Sequence, residues 1–333
     1  MKKVITLICA IFLLALTVAC SGSGSTKKDY FTITQNEKVG FINKKGDIVI
    51  DPQFENAYDF SDGLALVNVG SKYGYIDTKG QFSINPQYDY ASSFNEGYAM
   101  VNKGEDAFFI NTKGEKVFED VQFDYAYTFS EGLALIEVDG NYGYMDKKGN
   151  IAINPQFEDA DSFSEDGLAR IYMGGQYGFI NKKGEIVITP QFDRAWDFSD
   201  GLAAVYVGDS WGYANKKGEI VINPQFEQAY PYQDGLAPVR IGDQFGFIDK
   251  KGEIVINPQF DDAYIFQDGM AAVLVDDKWG FINQKGDMVI NPQFSRTYFF
   301  EGGLAAVYIG DSYYGGKKGY IDTKGKYVWN PTD

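Results

Sequence analysis

A unit of about 34 residues recurs almost from end to end of this 333-residue chain. It begins aromatic-Gly-aromatic-Ile-Asx-x-Lys-Gly-x-Ile-Val-Ile-Asn-Pro-Gln-Phe and ends Phe-Ser-acid-Gly-Leu-Ala, then Val-x-Val-Gly. The first glycine recurs every 34 or 35 residues until a last step of 39, with Phe108 standing in the third copy: Gly40, Gly74, Gly143, Gly178, Gly212, Gly246, Gly280 and Gly319. Such a period indicates a repeat architecture, in which each unit buries its core only against its neighbours.

Every copy carries a tight-turn signature, Asx-x-Lys-Gly, as in Asn43 to Gly46. Asx suits the first turn position, and glycine suits the position where φ must be positive. The signature predicts a hairpin between the Gly-Phe-Ile strand and the Ile-Val-Ile strand. A third strand precedes them, as in Leu202 to Val207, so each unit is predicted to be a three-stranded antiparallel meander.

These strands are apolar on both faces, because Leu202 and Ala204 alternate with Ala203 and Val205. Both faces must therefore be covered by neighbouring sheets. The proline of Asn-Pro-Gln-Phe is expected to end the ladder, and its phenylalanine to pack between sheets as the chain crosses over. The predicted fold is all-β, a tandem array of about nine units over residues 30–333. A propeller-like ring is favoured, with an open β-solenoid stack as the alternative.

The N-terminus reads as an export signal followed by a lipid attachment site. Residues 1–19 combine a basic start with an apolar run too short to span a bilayer comfortably. Their end resembles a bacterial lipoprotein processing box, in which Cys20 would carry the lipid, and residues 20–29 then form a flexible Ser/Gly tether. The predicted location is the outer face of the cell membrane, or the outer membrane of a Gram-negative cell. An uncleaved anchor and an ordinary secretory signal are the alternatives.

Charge and residue usage exclude several functions. The net charge of −16 becomes −18 without Lys2 and Lys3, which disfavours nucleic acid as a partner. The chain has no histidine, and its cysteines are Cys9 and Cys20. The mature chain therefore lacks a disulfide, an imidazole or thiolate metal ligand, and a Ser-His or Cys-His pair. We expect no enzyme activity and no cofactor.

The repeat resembles the bacterial WG (Trp-Gly) repeat. Lys278-Trp279-Gly280-Phe281-Ile282 and Ser210-Trp211-Gly212-Tyr213 carry the resemblance, together with the Lys-Gly turns and Asn-Pro-Gln-Phe, although most copies have Tyr or Phe in place of Trp. It covers about residues 30–333. The resemblance implies a β-repeat architecture in bacterial, often exported proteins with binding roles, and it supplies no catalytic residues.

Two acids recur in most copies, one after Gln-Phe, as at Glu55, and one before Gly-Leu-Ala, as at Asp62. A ring of carboxylates could bind calcium, which takes six to eight oxygen ligands. Acids before glycine are also ordinary turn residues, and we favour that structural interpretation over a metal site. Glycoside hydrolysis needs unequal acids in one cleft, which equivalent repeated acids do not supply.

The predicted function is a binding or interaction scaffold for protein or cell-envelope partners. The lysine turns and Ser-Asp-Gly turns should share one end of every sheet, leaving the more variable turns at the other end as the recognition surface. An insertion there makes Tyr313 and Tyr314 candidate partner-binding residues. Carbohydrate binding through aromatic residues and a purely structural spacer are the alternatives. The divergent third copy, with Phe108 and Val121, fits either a specialised site or sequence drift. The sequence also leaves the oligomeric state open.

Overall fold

A computed structural model describes residues 28–310 and 316–332 of the chain. These residues form nine small antiparallel sheets, arranged as the blades of a ring, and contain no helix. The prediction of an all-β, propeller-like array of units of about 34 residues is confirmed.

The blades follow one another in chain order. Blades 1 to 3 contain β1 (Tyr30–Gln35), β2 (Lys38–Asn43), β3 (Ile48–Phe54); β4 (Asn56–Ser61), β5 (Leu64–Val69), β6 (Lys72–Ile76), β7 (Phe82–Tyr88); β8 (Tyr90–Ala91), β9 (Tyr98–Lys103), β10 (Asp106–Asn111), β11 (Lys116–Val117). Blades 4 to 6 contain β12 (Tyr125–Ser130), β13 (Leu133–Val138), β14 (Asn141–Asp146), β15 (Ile151–Phe157); β16 (Asp159–Ala160), β17 (Leu168–Met173), β18 (Gln176–Asn181), β19 (Ile186–Phe192); β20 (Arg194–Ala195), β21 (Leu202–Val207), β22 (Ser210–Asn215), β23 (Ile220–Phe226). Blades 7 to 9 contain β24 (Gln228–Ala229), β25 (Ala237–Ile241), β26 (Gln244–Ile248), β27 (Ile254–Phe260); β28 (Asp262–Ala263), β29 (Met270–Val275), β30 (Lys278–Asn283), β31 (Met288–Phe294); β32 (Arg296–Glu301), β33 (Leu304–Ile309), β34 (Lys317–Asp322), β35 (Tyr327–Thr332).

The prediction of three strands per unit is wrong for eight of the nine blades, which have four. The extra strand is the segment after Gln-Phe, where Asn56 pairs with Asn68 and Ala57 with Val67. In five blades this strand is only two residues long, and its second residue is a buried alanine such as Ala195. Blade 1 alone has three described strands, which correspond to the second, third and fourth strands of the others.

The Asx-x-Lys-Gly hairpin is confirmed in all nine blades. Asn43 Oδ1 accepts hydrogen bonds from the backbone N–H groups of Lys45 at 2.8 Å and Asp47 at 3.1 Å. Gly46 closes the turn with φ of 86° and donates its N–H to the Asn43 carbonyl at 3.0 Å. The Asx side chain thus replaces backbone partners that the turn leaves unpaired.

The proline of Asn-Pro-Gln-Phe does not end the fourth strand, contrary to the prediction. The strand continues through a wide bulge, in which Phe41 pairs with Ile50 but Val39 pairs with Phe54. The bulge passes directly over Gly40, where an added Cβ would lie 2.5 Å from the Ile50 carbonyl oxygen and 2.6 Å from Pro52 N. Glycine is required there because only a residue without a side chain lets the backbone approach so closely.

The cores lie between blades, and they continue across the junction of the chain's two ends. Phe31 of blade 1 packs edge-on against Tyr320 of blade 9, with ring centroids 5.4 Å apart, and the Tyr320 hydroxyl donates to the Thr32 carbonyl at 2.9 Å. Gly46 of blade 1 also lies against the Val328 backbone of blade 9. The ring is therefore closed, and the open-stack alternative is wrong.

The ring has two rims of different character. The acid–lysine rim carries the turn between the first and second strands, such as Asp62-Gly63, and the Asx-x-Lys-Gly turn between the third and fourth. The variable rim carries the turns between the second and third strands, such as Gly70-Ser71, which differ from blade to blade. The predicted placement of lysine and acid turns at one end is confirmed.

Candidate functional site

The acid after Gln-Phe holds the turns of the variable rim. Glu55 accepts hydrogen bonds from the backbone N–H groups of Gly70 at 3.1 Å and Ser71 at 3.4 Å. The same bond recurs in other blades: Asp89 with Gly104 at 2.9 Å, Asp124 with Asp139 at 2.7 Å, Glu158 with Gly174 at 2.9 Å, Glu227 with Gly242 at 3.0 Å and Asp261 with Asp276 at 3.0 Å. A fixed carboxylate therefore supports turns of different sequence.

The acid before glycine links each blade to the next. Asp62 and Gly63 both have positive φ, as a two-residue hairpin turn requires, and Asp62 accepts a hydrogen bond from Gly97 N of blade 3 at 2.6 Å. The link recurs around the ring: Glu96 with Gly132 at 2.9 Å, Asp166 with Gly201 at 2.9 Å, Asp200 with Gly235 at 2.8 Å, Asp234 with Gly269 at 3.2 Å and Asp268 with Gly303 at 3.0 Å.

Lysines of the acid–lysine rim pair with these acids across blade boundaries. The pairs are Lys147 with Glu96 at 3.0 Å, Lys182 with Glu131 at 2.9 Å, Lys216 with Asp166 at 2.8 Å and Lys250 with Asp200 at 3.8 Å. The paired side chains keep 18–47% of their surface exposed, so solvent screens each pair and its contribution is at most about 1 kcal/mol. The rim is neutralised locally, as the sequence predicts, and offers no continuous basic patch.

Most of the repeated acids thus have backbone or lysine partners of their own. Within residues 28–310 and 316–332, no three Asp or Glu side chains converge into a set that could hold a metal ion. The hydrogen bonds and ion pairs of these acids support their structural interpretation.

The tryptophans at repeat positions pack within the protein. Trp279 is 8% exposed, and its indole stacks on Tyr264 with centroids 4.7 Å apart and planes 4° from parallel. Trp196 and Trp211 are partly buried against the core shared by blades 6 and 7. Trp329 packs at the junction of blades 9 and 1. All four tryptophans therefore contribute to packing within and between blades.

Cys20, Tyr313 and Tyr314 lie outside the described residues. Ile309 of β33 pairs with Lys317 of β34. Lipid attachment to Cys20 and partner binding by Tyr313 and Tyr314 stay predictions.

Blade 3 departs from the repeat for a steric reason. Phe108 occupies the position of the glycine over which the bulge passes, and Val121 replaces the proline of that bulge. The fourth strand is reduced to Lys116–Val117, and Phe118 takes a positive φ of 58°. A cavity of about 130 Å³ opens beside Phe108, with the Lys116 ammonium 4.8 Å above the ring. The segment is also one residue longer than in the other blades, since Gln122 follows Gly114 by eight residues and Gln87 follows Gly80 by seven.

Blade 5 places charges in an otherwise apolar layer. Arg170 stands where other copies have Leu, Ala, Met or Pro, and it pairs with Asp161 at 2.7 Å. Asp197 of blade 6 lies 3.9 Å from Arg170, and its Oδ1 has no hydrogen-bond partner. Burial and the nearby Asp161 carboxylate raise the pKa of Asp197 to about 7, although Arg170 opposes that shift.

Six tyrosines form a contiguous cluster near the variable rim of blades 2 to 4, which we call the tyrosine cluster: Tyr58, Tyr73, Tyr90, Tyr125, Tyr127 and Tyr142. Rings of Tyr73 and Tyr90 lie 6.4 Å apart, and those of Tyr125 and Tyr127 lie 5.1 Å apart. Burial and neighbouring groups raise the pKa of Tyr90 and of Tyr127 to about 12, so both hydroxyls stay protonated at neutral pH.

This cluster contains the most exposed tyrosines of the described chain. Tyr58 is 41% exposed, and Tyr90 and Tyr127 are each 43% exposed. Sequence reasoning missed them because every copy is rich in aromatic residues. A usable signal was the pair of extra tyrosines before alanine, Tyr90 and Tyr125, where other copies have Asn, Asp, Arg or Gln.

Comparison with solved structures supports the architecture. The chain is similar to a eukaryotic initiation factor, with a TM-score of 0.64 and 12% identity over 90% of this chain and 95% of the other. It is also similar to Kluyveromyces lactis Hsv2p, with a TM-score of 0.42, 12% identity, and 58% and 71% of the two chains covered. At 12% identity, the likeness to the initiation factor concerns the fold alone. No curated protein matches the sequence.

In the described part of the chain, no helix is long and apolar enough to cross a membrane.

The profile of the WG containing repeat matches eight consecutive segments: residues 40–73, 73–105, 108–142, 142–177, 177–210, 211–244, 245–279 and 279–313. Because these segments span most of the sequence, the chain belongs to the WG-repeat family.

Proposed function

We propose that this protein is a lipid-anchored, extracytoplasmic scaffold that binds protein or cell-envelope partners through its variable rim. The observation that carries the proposal is that one rim has turns of variable sequence, held by acids at constant repeat positions. Acids at fixed repeat positions hold the variable turns by backbone hydrogen bonds, as Glu55 does for Gly70, so turn sequences differ on a constant support. Variable loops on a rigid frame are a common arrangement for recognition.

The position of Lys28 favours an orientation in which the variable rim faces away from the membrane. Its ammonium pairs with Asp59 at 2.7 Å and Glu301 at 2.8 Å, at the acid–lysine rim where blades 9, 1 and 2 meet. Lys28 follows Cys20 by eight residues. Even a fully extended chain of that length spans at most about 28 Å. A lipid on Cys20 would therefore keep the acid–lysine rim near the membrane and leave the variable rim facing outward.

The anchor is tested first. Cys20→Ser should release the protein from the membrane fraction and abolish incorporation of a labelled fatty acid, because the acylated thiol is lost. Retention of the variant in washed membranes would contradict the anchor while leaving the rim assignment open to the next test.

The rim is tested by site-specific photocrosslinking on intact cells. A photoreactive residue replaces Glu105 or Asp243 on the variable rim, and Lys217 on the acid–lysine rim serves as the matched exposed control. We expect adducts from the first two positions and few from the third. Equal adducts from Lys217 would overturn the assignment, and no adduct from any position would favour the structural spacer.

A further inference from the structure

The chain itself shows which chemistry its rim tyrosines accept. Tyr177 of blade 5 precedes its repeat glycine as Tyr73 and Tyr142 do, and the Arg170 guanidinium lies 5.1 Å from the centre of its ring. Tyr298 of blade 9 occupies the position of Tyr58 and Tyr127, with Arg296 5.8 Å from its ring.

Blades 6 and 9 repeat this arrangement at a second tyrosine. Arg194 lies 5.7 Å from the ring centre of Tyr206, and Arg296 lies 3.9 Å from that of Tyr308. These contacts place a guanidinium against the face of an aromatic ring, where the ring quadrupole attracts a cation. In blades 5, 6 and 9, arginines of the chain itself therefore cover tyrosine rings.

The tyrosine cluster of blades 2 to 4 has no such cover. Of the lysines and arginines in the described part of the chain, none lies over a ring of Tyr58, Tyr90 or Tyr127. The corresponding positions before alanine hold Asn56, Tyr90 and Tyr125 in place of arginine. The tyrosine cluster therefore presents aromatic rings for cation–π contacts, but the described part of the chain places no cation on the rings of Tyr58, Tyr90 and Tyr127.

Charge around the cluster favours the same ligand. The adjoining strand ends and turns of blades 2 to 4 carry seven acids and two lysines: Glu55, Asp89, Glu105, Asp106, Asp124, Glu137 and Asp139, with Lys72 and Lys103. Lys72 is already paired with Asp89. This excess of carboxylates would attract a positively charged segment and repel an acidic one.

We propose that the tyrosine cluster binds an extended, arginine-bearing segment of a partner protein, whose guanidinium groups stack on Tyr58, Tyr90 and Tyr127. The partner supplies the cations that Arg170, Arg194 and Arg296 supply elsewhere on the ring. Tyrosine is a frequent energetic centre of protein interfaces, because it buries a large rigid ring at low entropic cost. This assignment rests on the proposed scaffold function and names the chemistry of its partner.

The test uses the mature chain and a fluorescent peptide in which arginine alternates with glycine or serine. Anisotropy should show saturable binding that weakens with salt. Combined Y58A, Y90A and Y127A substitutions should weaken it by about tenfold or more, because each exposed cation–π contact contributes and several act together. The combined Tyr→Phe substitutions should retain most of the affinity, since the ring face is kept.

The controls separate the possible outcomes. Tyr206→Ala removes a ring already covered by Arg194, and its affinity should match the unmodified protein. A peptide with neutral citrulline in place of arginine should not bind. Equal affinity in the triple alanine variant, equal binding of the citrulline peptide, or displacement of the arginine peptide by a neutral oligosaccharide would overturn the proposal. Circular dichroism confirms folding of each variant.

Failure here is distinguishable from failure of the scaffold function. If photocrosslinks from Glu105 and Asp243 persist in the triple alanine variant, the scaffold stands and the arginine assignment alone is wrong. If those crosslinks are absent in the unmodified protein as well, the scaffold function itself is wrong.

Discussion

Blades 3 and 6 derive from the same repeat, yet their fourth strands differ. In blade 6, Gly212 lies under the Asn-Pro bulge, and β23 runs seven residues from Ile220 to Phe226. In blade 3, Phe108 replaces that glycine, and β11 has two residues. The difference indicates that the full-length fourth strand goes with the absence of a side chain at the repeat glycine. Blade 3 also lacks the proline and has one more residue between its turn glycine and Gln-Phe.

The largest expected effect on stability comes from adding a side chain at the repeat glycine of a regular blade. In Gly212→Ala, the new Cβ would lie 2.5 Å from the Ile222 carbonyl oxygen and 2.7 Å from Pro224 N. The backbone of the bulge must move, and we expect a loss of about 3 kcal/mol in unfolding free energy. Denaturant titration measures it. Blade 3 is the contrast, because it accommodates the larger side chain of Phe108 at the same position with a fourth strand of two residues.

The coupling between the two blade 3 substitutions gives the next largest effect. Val121→Pro alone should destabilise the protein, since it removes the N–H that Val121 donates to the Phe118 carbonyl at 3.2 Å and Phe108 blocks the bulge that the proline favours. Together with Phe108→Gly it should be tolerated, with a coupling of about 2 kcal/mol in a double-mutant cycle. Additive losses would mean that the positions are independent and that the steric account of blade 3 is wrong.

Regular blades also differ in how the aromatic residue after the repeat glycine is held. The buried Tyr213 hydroxyl donates to the Tyr230 carbonyl, which lies between the first and second strands of blade 7, at 2.9 Å, whereas Phe247 holds the same position in blade 7 without a hydroxyl. Tyr213→Phe should cost about 1.5 kcal/mol, because a buried carbonyl loses its donor. Chemical denaturation measures the loss, and an unchanged midpoint would show that water replaces the hydroxyl.

The regular blades were the predictable part of the fold, and the departures were not. Turn chemistry such as Asn43 to Gly46 is local, so its residues identify the hairpin directly. In five of the four-stranded blades the first strand is only a two-residue pairing such as Arg194–Ala195, which depends on tertiary packing and leaves no periodic pattern. Ring closure through Phe31 and Tyr320 depends on contacts between the chain ends. The tyrosine cluster combines residues from three blades, so it becomes visible only after the blades are placed.

Blade 5 departs from the regular blades through charge, and this gives the smallest expected effect. The raised pKa of Asp197 means that the folded state binds a proton more tightly than the unfolded state, whose value is near 3.8. That contribution is fully present below the unfolded value and is lost as pH rises toward 7. Ionised Asp197 therefore opposes folding at pH 8, where Asp161 repels it and Arg170 only partly offsets the cost.

Asp197→Asn should consequently stabilise the protein more at pH 8 than at pH 5, by about 1 kcal/mol. The side chain keeps 27% of its surface exposed, so solvent screens part of the effect. Thermal unfolding at the two pH values measures the difference, with Asp193→Asn as a control on an exposed acid of the same blade junction. An equal shift at both pH values, or a loss of stability at pH 8, would mean that Arg170 keeps Asp197 ionised. Blade 5 would then be held by an ion-paired network instead of carrying a charge that opposes its own packing.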